Sequence, residues 1–64
     1  MVAKLREIRK QKGMTQEELS KAASINRVTI AKYETGKISP TLKSAEKIAA
    51  ALGVKVDDLL DEAS

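Results

Sequence analysis

The sequence predicts an all-α fold, a compact bundle of five short helices. Three observations lead there. Apolar residues recur at helical spacing, most clearly Leu42, Ala45, Ile48, Ala49 and Leu52, which form one stripe. The periodic stretches are closed by Gly13, Gly36 and Gly53, each standing where a helix would end. No stretch alternates apolar and polar residues as a half-buried strand does, and the β-branched residues sit inside helical spacing or at helix boundaries.

The first helix is predicted over Val2 to Lys12, with Val2, Leu5 and Ile8 as its apolar side and Gly13 as its stop. Met14 then precedes Thr15, and Thr15 with Glu18 is the T-x-x-E of a capping box. A second helix follows from Gln16 to Ala23, turning Leu19 and Ala23 inward. Ser24, Ile25 and Asn26 make a tight turn, with Ile25 inward and Asn26 as the next N-cap. The third helix runs from Arg27 to Thr35, presenting Ile30 and Tyr33 to the core and Arg27, Val28, Thr29 and Lys32 outward. Two helices joined this closely must cross steeply, which makes a helix-turn-helix of the second and third. After a loop containing Pro40, Thr41 caps the fourth helix, which carries the clear stripe up to Gly53. Val54 and Val56 lead into a short last helix holding Leu59 and Leu60.

Composition narrows the function. Sixty-four residues, 42% apolar and 33% charged, suit a single domain spanning residues 1–64. Phe and Trp are absent and Tyr33 is the only aromatic residue, so the core must be aliphatic, with alanines letting helices approach closely. Neither Cys nor His occurs, which removes disulfides, thiolate metal sites and the usual nucleophile–base pairs. No Gly-rich phosphate loop is present either. The expectation is a protein that is not an enzyme and needs no cofactor or metal. No apolar run approaches the ~20 residues of a membrane span, and the first residues lack a signal-peptide apolar region. A cytoplasmic location is expected, with no membrane partner and no evident small-molecule site.

The net charge of +3 is unevenly distributed. Residues 1–32 hold eight Lys or Arg against three Glu, whereas residues 33–64 hold four Lys against six Asp or Glu. A basic front and an acidic tail suit a chain that turns one face to a polyanion, although mixed-sign solvated helix surfaces give the same imbalance.

Taken together, the ordered features resemble the helix-turn-helix domain of the phage repressor and Cro type, the lambda-repressor-like or XRE-like group. They are Arg9, Gly13-x-Thr15-Gln16, Glu17-Glu18-Leu19, Ile25-Asn26-Arg27, Thr29-Ile30, Tyr33-Glu34-x-Gly36-Lys37, Pro40, Ala51-Leu52-Gly53-Val54 and Asp58-Leu59-Leu60. The resemblance spans Leu5 to Leu60. It implies binding to double-stranded DNA, transcriptional regulation by repression, and a homodimer on a palindromic operator with recognition helices about 34–36 Å apart. Carried over by position, Arg27, Val28, Thr29 and Lys32 would meet base edges in the major groove. Arg and Lys suit guanine O6 and N7, and Val suits a thymine methyl. Gln16, Asn26, Lys37 and Lys43 would meet phosphates. Arg9 and Glu34 would form a partly buried structural ion pair. Val54, Val56, Leu59 and Leu60 would form the dimer interface, assembled in solution or only on DNA.

Each assignment has a plainer alternative. Val28 could belong to turn packing, Lys32 to ordinary helix surface, and Gln16 and Asn26 to capping. A protein-interaction module of antitoxin-like or regulatory-partner type, with secondary DNA binding, is the rival function. Three positions depart from the resemblance: Ser24 stands where Gly is usual, Ser20 where Ala is usual, and Lys55 where a Ser or Thr cap is common. A left-handed Ser24 would cost roughly 1 kcal/mol. Asp57 and Asp58 still favour a helix start after Lys55.

Overall fold

A computed structural model describes residues 4–59. Five helices make up this segment: α1 (Leu5–Gln11), α2 (Gln16–Ala23), α3 (Arg27–Thr35), α4 (Leu42–Leu52) and α5 (Val56–Leu59). No strand occurs among the described residues. The expected starting residue Val2 and Leu60, expected in the dimer interface, lie outside them.

The starts of α2 to α5 follow from side-chain oxygens placed to accept orphan backbone N–H groups, whereas α1 begins after Lys4 with no side-chain cap. Thr15 Oγ1 accepts from Glu18 N–H at 3.0 Å, and Glu18 Oε1 accepts from Thr15 N–H at 2.8 Å, completing the capping box. Asn26 Oδ1 accepts from Val28 N–H at 2.7 Å. Thr41 Oγ1 accepts from Ser44 N–H at 3.1 Å. At α5, where Lys55 offers no capping oxygen, Asp58 Oδ2 accepts from Lys55 N–H at 3.2 Å. That is half of a capping box, supplied from the helix side.

The ends of α1 to α4 share one device. A residue in the left-handed region follows each helix: Gly13 (φ 71°), Ser24 (φ 57°), Gly36 (φ 79°) and Gly53 (φ 73°). Each sends its N–H back three residues, and the residue after it sends its N–H back five. The longer bonds are Met14 to Arg9, Ile25 to Ser20, Lys37 to Lys32 and Val54 to Ala49, all at 3.0–3.1 Å. This is the Schellman arrangement, in which the residue after the left-handed one normally packs on the helix's last turns. Met14, Ile25 and Val54 do so, being half-buried against the core. Lys37 does not; it is exposed.

Every helix contributes one aliphatic side chain with no exposure: Leu5 from α1, Leu19 from α2, Ile30 from α3, Ile48 from α4 and Leu59 from α5. Each such burial is worth about 1.5–3 kcal/mol. Tyr33, Ala23, Ala45, Ala49 and Leu52 complete the buried set. α2 packs on both α3 and α4, α5 closes on α4, and α1 rests on α3. With 4 residues α5 could not hold helical form unaided, so Leu59 anchors it.

Two expectations are corrected. Leu42, placed in the inward stripe of α4, is 69% exposed. It is the first helical residue, and helical side chains lean toward the helix N-terminus, where no neighbouring turn covers it. Leu59, placed in a dimer interface, lies in the core of its own chain at 0% exposure and has no surface to offer a partner.

Ser24 is the one non-glycine with positive φ among the described residues. The L-residue penalty there is about 1–2 kcal/mol. Ser24→Gly is expected to stabilise the fold by about 1 kcal/mol, raising Tm by ~4–8 °C for a chain this short. Thermal unfolding followed by circular dichroism checks this, and a lowered Tm would contradict the strain.

Candidate DNA interface

Helix α3 has two unlike sides. Ile30 and Tyr33 are buried at 0% and 7% exposure, while Arg27, Val28 and Lys32 are exposed and Thr29 is half-buried. Val28, at 56% exposure, is an apolar side chain left in water. Arg27 also lines an open cleft of about 500 Å³ at the start of α2, together with Lys10, Gly13, Thr15 and Gln16. The cleft thus brings one residue expected at base edges, Arg27, beside one expected at phosphate, Gln16.

The cleft is built on an ion pair. Arg9 Nε donates to Glu34 Oε2 at 2.6 Å and Arg9 Nη2 donates to Glu34 Oε1 at 3.1 Å. Their side chains are 9% and 2% exposed. Arg9 Nη1 donates to the Met14 carbonyl at 2.7 Å, which ties the α1–α2 turn into the same cluster. Gln16 Nε2 donates to Glu34 Oε1 at 3.0 Å. No buried side-chain polar atom among the described residues lacks a partner. The bond from Gln16 to Glu34 and that from Arg9 to Met14 carry no sequence signature, since partners 18 and 5 residues apart belong to no local motif.

The remaining expected contacts are spread around this cluster. Asn26 uses its side-chain oxygen for the α3 cap, and its amide still carries two N–H donors. Lys37 follows the left-handed Gly36 and is exposed. Lys43 is exposed in the first turn of α4. Neither α3 nor α4 has an acidic residue in its first turn, and each carries a cation there, Arg27 and Lys43. A helix N-terminus favours anions, so these cations sit against the local dipole by a few tenths of a kcal/mol or more. Val54 and Val56 are half-buried against the core, and Leu60 lies outside the described residues. The large apolar side chains exposed among the described residues are Val28, Ile38 and Leu42, none of them in the expected dimer set.

Two capped helices joined by a three-residue turn, with a polar and basic outer side on the second, define a helix-turn-helix DNA-binding domain. Comparison with known proteins agrees. A family model described as Helix-turn-helix matches residues 5–59, and the chain belongs to that family, whose members are DNA-binding transcription regulators and not enzymes. An uncharacterized HTH-type transcriptional regulator of Archaeoglobus fulgidus is 44% identical over 59 residues, covering 92% of this chain and 84% of that protein. Another from Methanothermobacter thermautotrophicus is 46% identical over 61 residues, covering 91% of this chain and 88% of that one. The crystal structure of the restriction-modification controller protein C.AhdI from Aeromonas hydrophila matches with a TM-score of 0.86 at 32% identity, over 89% of this chain and 86% of that one. The resemblance to phage repressor and Cro-type domains read from the sequence is thereby borne out. No helix among the described residues is long and apolar enough to cross a membrane.

Removing one partner of a buried ion pair costs roughly 3–5 kcal/mol, because the other charge is left unpaired. Glu34→Ala is therefore expected to lower Tm by ~15 °C or more. Glu18→Ala, which removes one exposed capping bond, should stay within about 1 kcal/mol. Thermal unfolding of both variants decides it; equal shifts would mean the pair holds little together.

Proposed function

We propose that the chain is a transcriptional repressor that binds a palindromic operator as a homodimer assembled on DNA, with α3 in the major groove. The reading is carried by the outer side of α3, where Arg27, Val28 and Lys32 stand exposed and Arg27 borders the cleft containing Gln16. Arg27 and Lys32 would read guanine edges, Val28 a thymine methyl, and Thr29 the base beside them. Gln16, Asn26, Lys37 and Lys43 would set the register on phosphates. Supporting this, Arg27 and Lys43 oppose the dipoles of their own helices, an arrangement that a bound phosphate relieves.

Arithmetic supports the dimer. A helix of 9 residues is about 13 Å long, so α3 spans roughly four base pairs. A four-base-pair word recurs every ~250 base pairs by chance, too often against the ~10⁶ or more competing sites of a genome. A two-fold pair squares that interval. The partner contact falls to the outer parts of Val54 and Val56, since Leu59 is used in the core. So small a surface favours assembly on the operator. Occupancy of a promoter-overlapping site represses without any further contact, and the work is done in the cytoplasm, where the duplex is.

Selection of bound sites from random duplex DNA tests this directly. The expected product is a palindrome bound at least ~10³-fold more tightly than random duplex at physiological salt. A ratio near one, or a set with no two-fold symmetry, would reject the reading. Separately, Lys37→Ala should weaken binding to all sequences alike and reduce the slope of log K against log salt by about 1 per protomer. A titration in salt with an unchanged slope would remove Lys37 from the phosphate contacts.

A further inference from the structure

The Glu34 carboxylate has more to do than neutralise Arg9. Its Oε2 accepts from Arg9 Nε at 2.6 Å, and its Oε1 accepts from both Arg9 Nη2 at 3.1 Å and Gln16 Nε2 at 3.0 Å. The side chain is 2% exposed, so these bonds are largely shielded from competing water. Gln16 is the partly exposed end of this chain of bonds and borders the open cleft beside Arg27.

We propose that Glu34 is a positioning residue for DNA binding, orienting the Gln16 amide so that Nε2 offers its second N–H to a DNA phosphate. The reading rests on Gln16 as a phosphate contact. A primary amide can turn either end outward, and the two ends differ completely toward a phosphate, which has only acceptors. With the amide reversed, its carbonyl oxygen would face the Glu34 carboxylate, acceptor against acceptor. The carboxylate therefore selects the orientation with nitrogen inward, and nitrogen has two hydrogens. One is held by Glu34 and the other remains for a ligand. A carboxylate this close to a phosphate would ordinarily repel it. Arg9 cancels that charge with two of its nitrogens and is itself fixed through Nη1 on the Met14 carbonyl. The pair thus supplies orientation without net charge. Rotamer freedom that Gln16 would otherwise lose on meeting DNA is already lost in the free protein, which is preorganisation in the ordinary sense.

A double-mutant cycle on a short duplex of mixed sequence tests this at low salt. Fluorescence anisotropy is read at a temperature where each variant is shown to be folded. Gln16→Ala alone is expected to weaken binding about tenfold, the size of a lost hydrogen bond to a charged group. The salt slope stays unchanged, because no charge is removed. In the Glu34→Gln background the same Gln16→Ala change should weaken binding less than about twofold, since the amide there is no longer held donor-outward. Equal losses in both backgrounds overturn the proposal, because a Glu34 that is only structural lowers Tm and leaves the effect of Gln16→Ala intact. A Gln16→Ala protein that binds as tightly as the unchanged chain overturns it as well.

Should Glu34→Gln fail to fold, side-chain amide resonances of Gln16 in the unchanged protein decide the matter. Adding the duplex should move the more rapidly exchanging of the two Nε2 protons; a pair that does not move overturns the proposal. Phosphates are present on any duplex, so failure to select an operator would reject the repressor reading and leave this measurement valid.

Discussion

Arg9 and Glu34 carry opposite charges into a domain whose core is otherwise aliphatic apart from Tyr33. Taking two such groups out of water is unfavourable by several kcal/mol each unless their bonds are saturated. Here they are. All three guanidinium nitrogens have acceptors, and both carboxylate oxygens have donors. The cluster reaches four parts of the fold: α1 through Arg9, the α1–α2 turn through the Met14 carbonyl, the start of α2 through Gln16, and the end of α3 through Glu34. An aliphatic pair of the same volume could fill the space about as stably. It could not fix the angle between α1 and α3 through directional bonds, nor hold the first side chain of α2 in one orientation. The pair gives this small bundle geometry more than energy.

Hydrophobic burial then does what the ion pair cannot. Five helices of between 4 and 11 residues are all too short to persist alone. Each is held by one wholly buried aliphatic side chain, and those five side chains meet in a common core. Alanines at 23, 45 and 49 take little room where α2 and α4 pack, and Tyr33 is the one large aromatic side chain in the core. The left-handed helix ends turn the chain sharply back after each element. Three have glycine for this and the fourth has Ser24, which therefore holds strain at the turn between α2 and α3.

Much of this was legible in the sequence because it is local. The T-x-x-E box, the Asn26 and Thr41 caps and the glycine stops all act over two to five residues, so their spacing states their geometry. The inward positions of α2 and α3 were legible for the same reason, since helical period places them. What the sequence hid is non-local or end-dependent. Leu42 has the right period for the core stripe, yet it is the first residue of its helix and leans past the core. Leu59 looked surplus to a short helix, because the count of apolar residues cannot say that a helix of 4 residues needs its leucine as an anchor. The bond from Gln16 to Glu34 joins residues 18 apart and becomes visible only once α2 and α3 are packed.

Some of the places where the chain breaks its own local rules, such as Ser24 and Leu42, lie elsewhere, but several fall among the residues read as DNA contacts. Arg27 and Lys43 are cations at helix N-termini, where an anion would be favoured. Lys37 occupies the one Schellman position of four that is not packed on the core. Val28 is a β-branched apolar residue in water at 56% exposure. The two cations are mildly unfavourable for the isolated fold. In the proposed reading these residues meet a ligand that is anionic along its edges and apolar at intervals within. Duplex DNA has that pattern, with phosphates flanking a groove lined by thymine methyl groups.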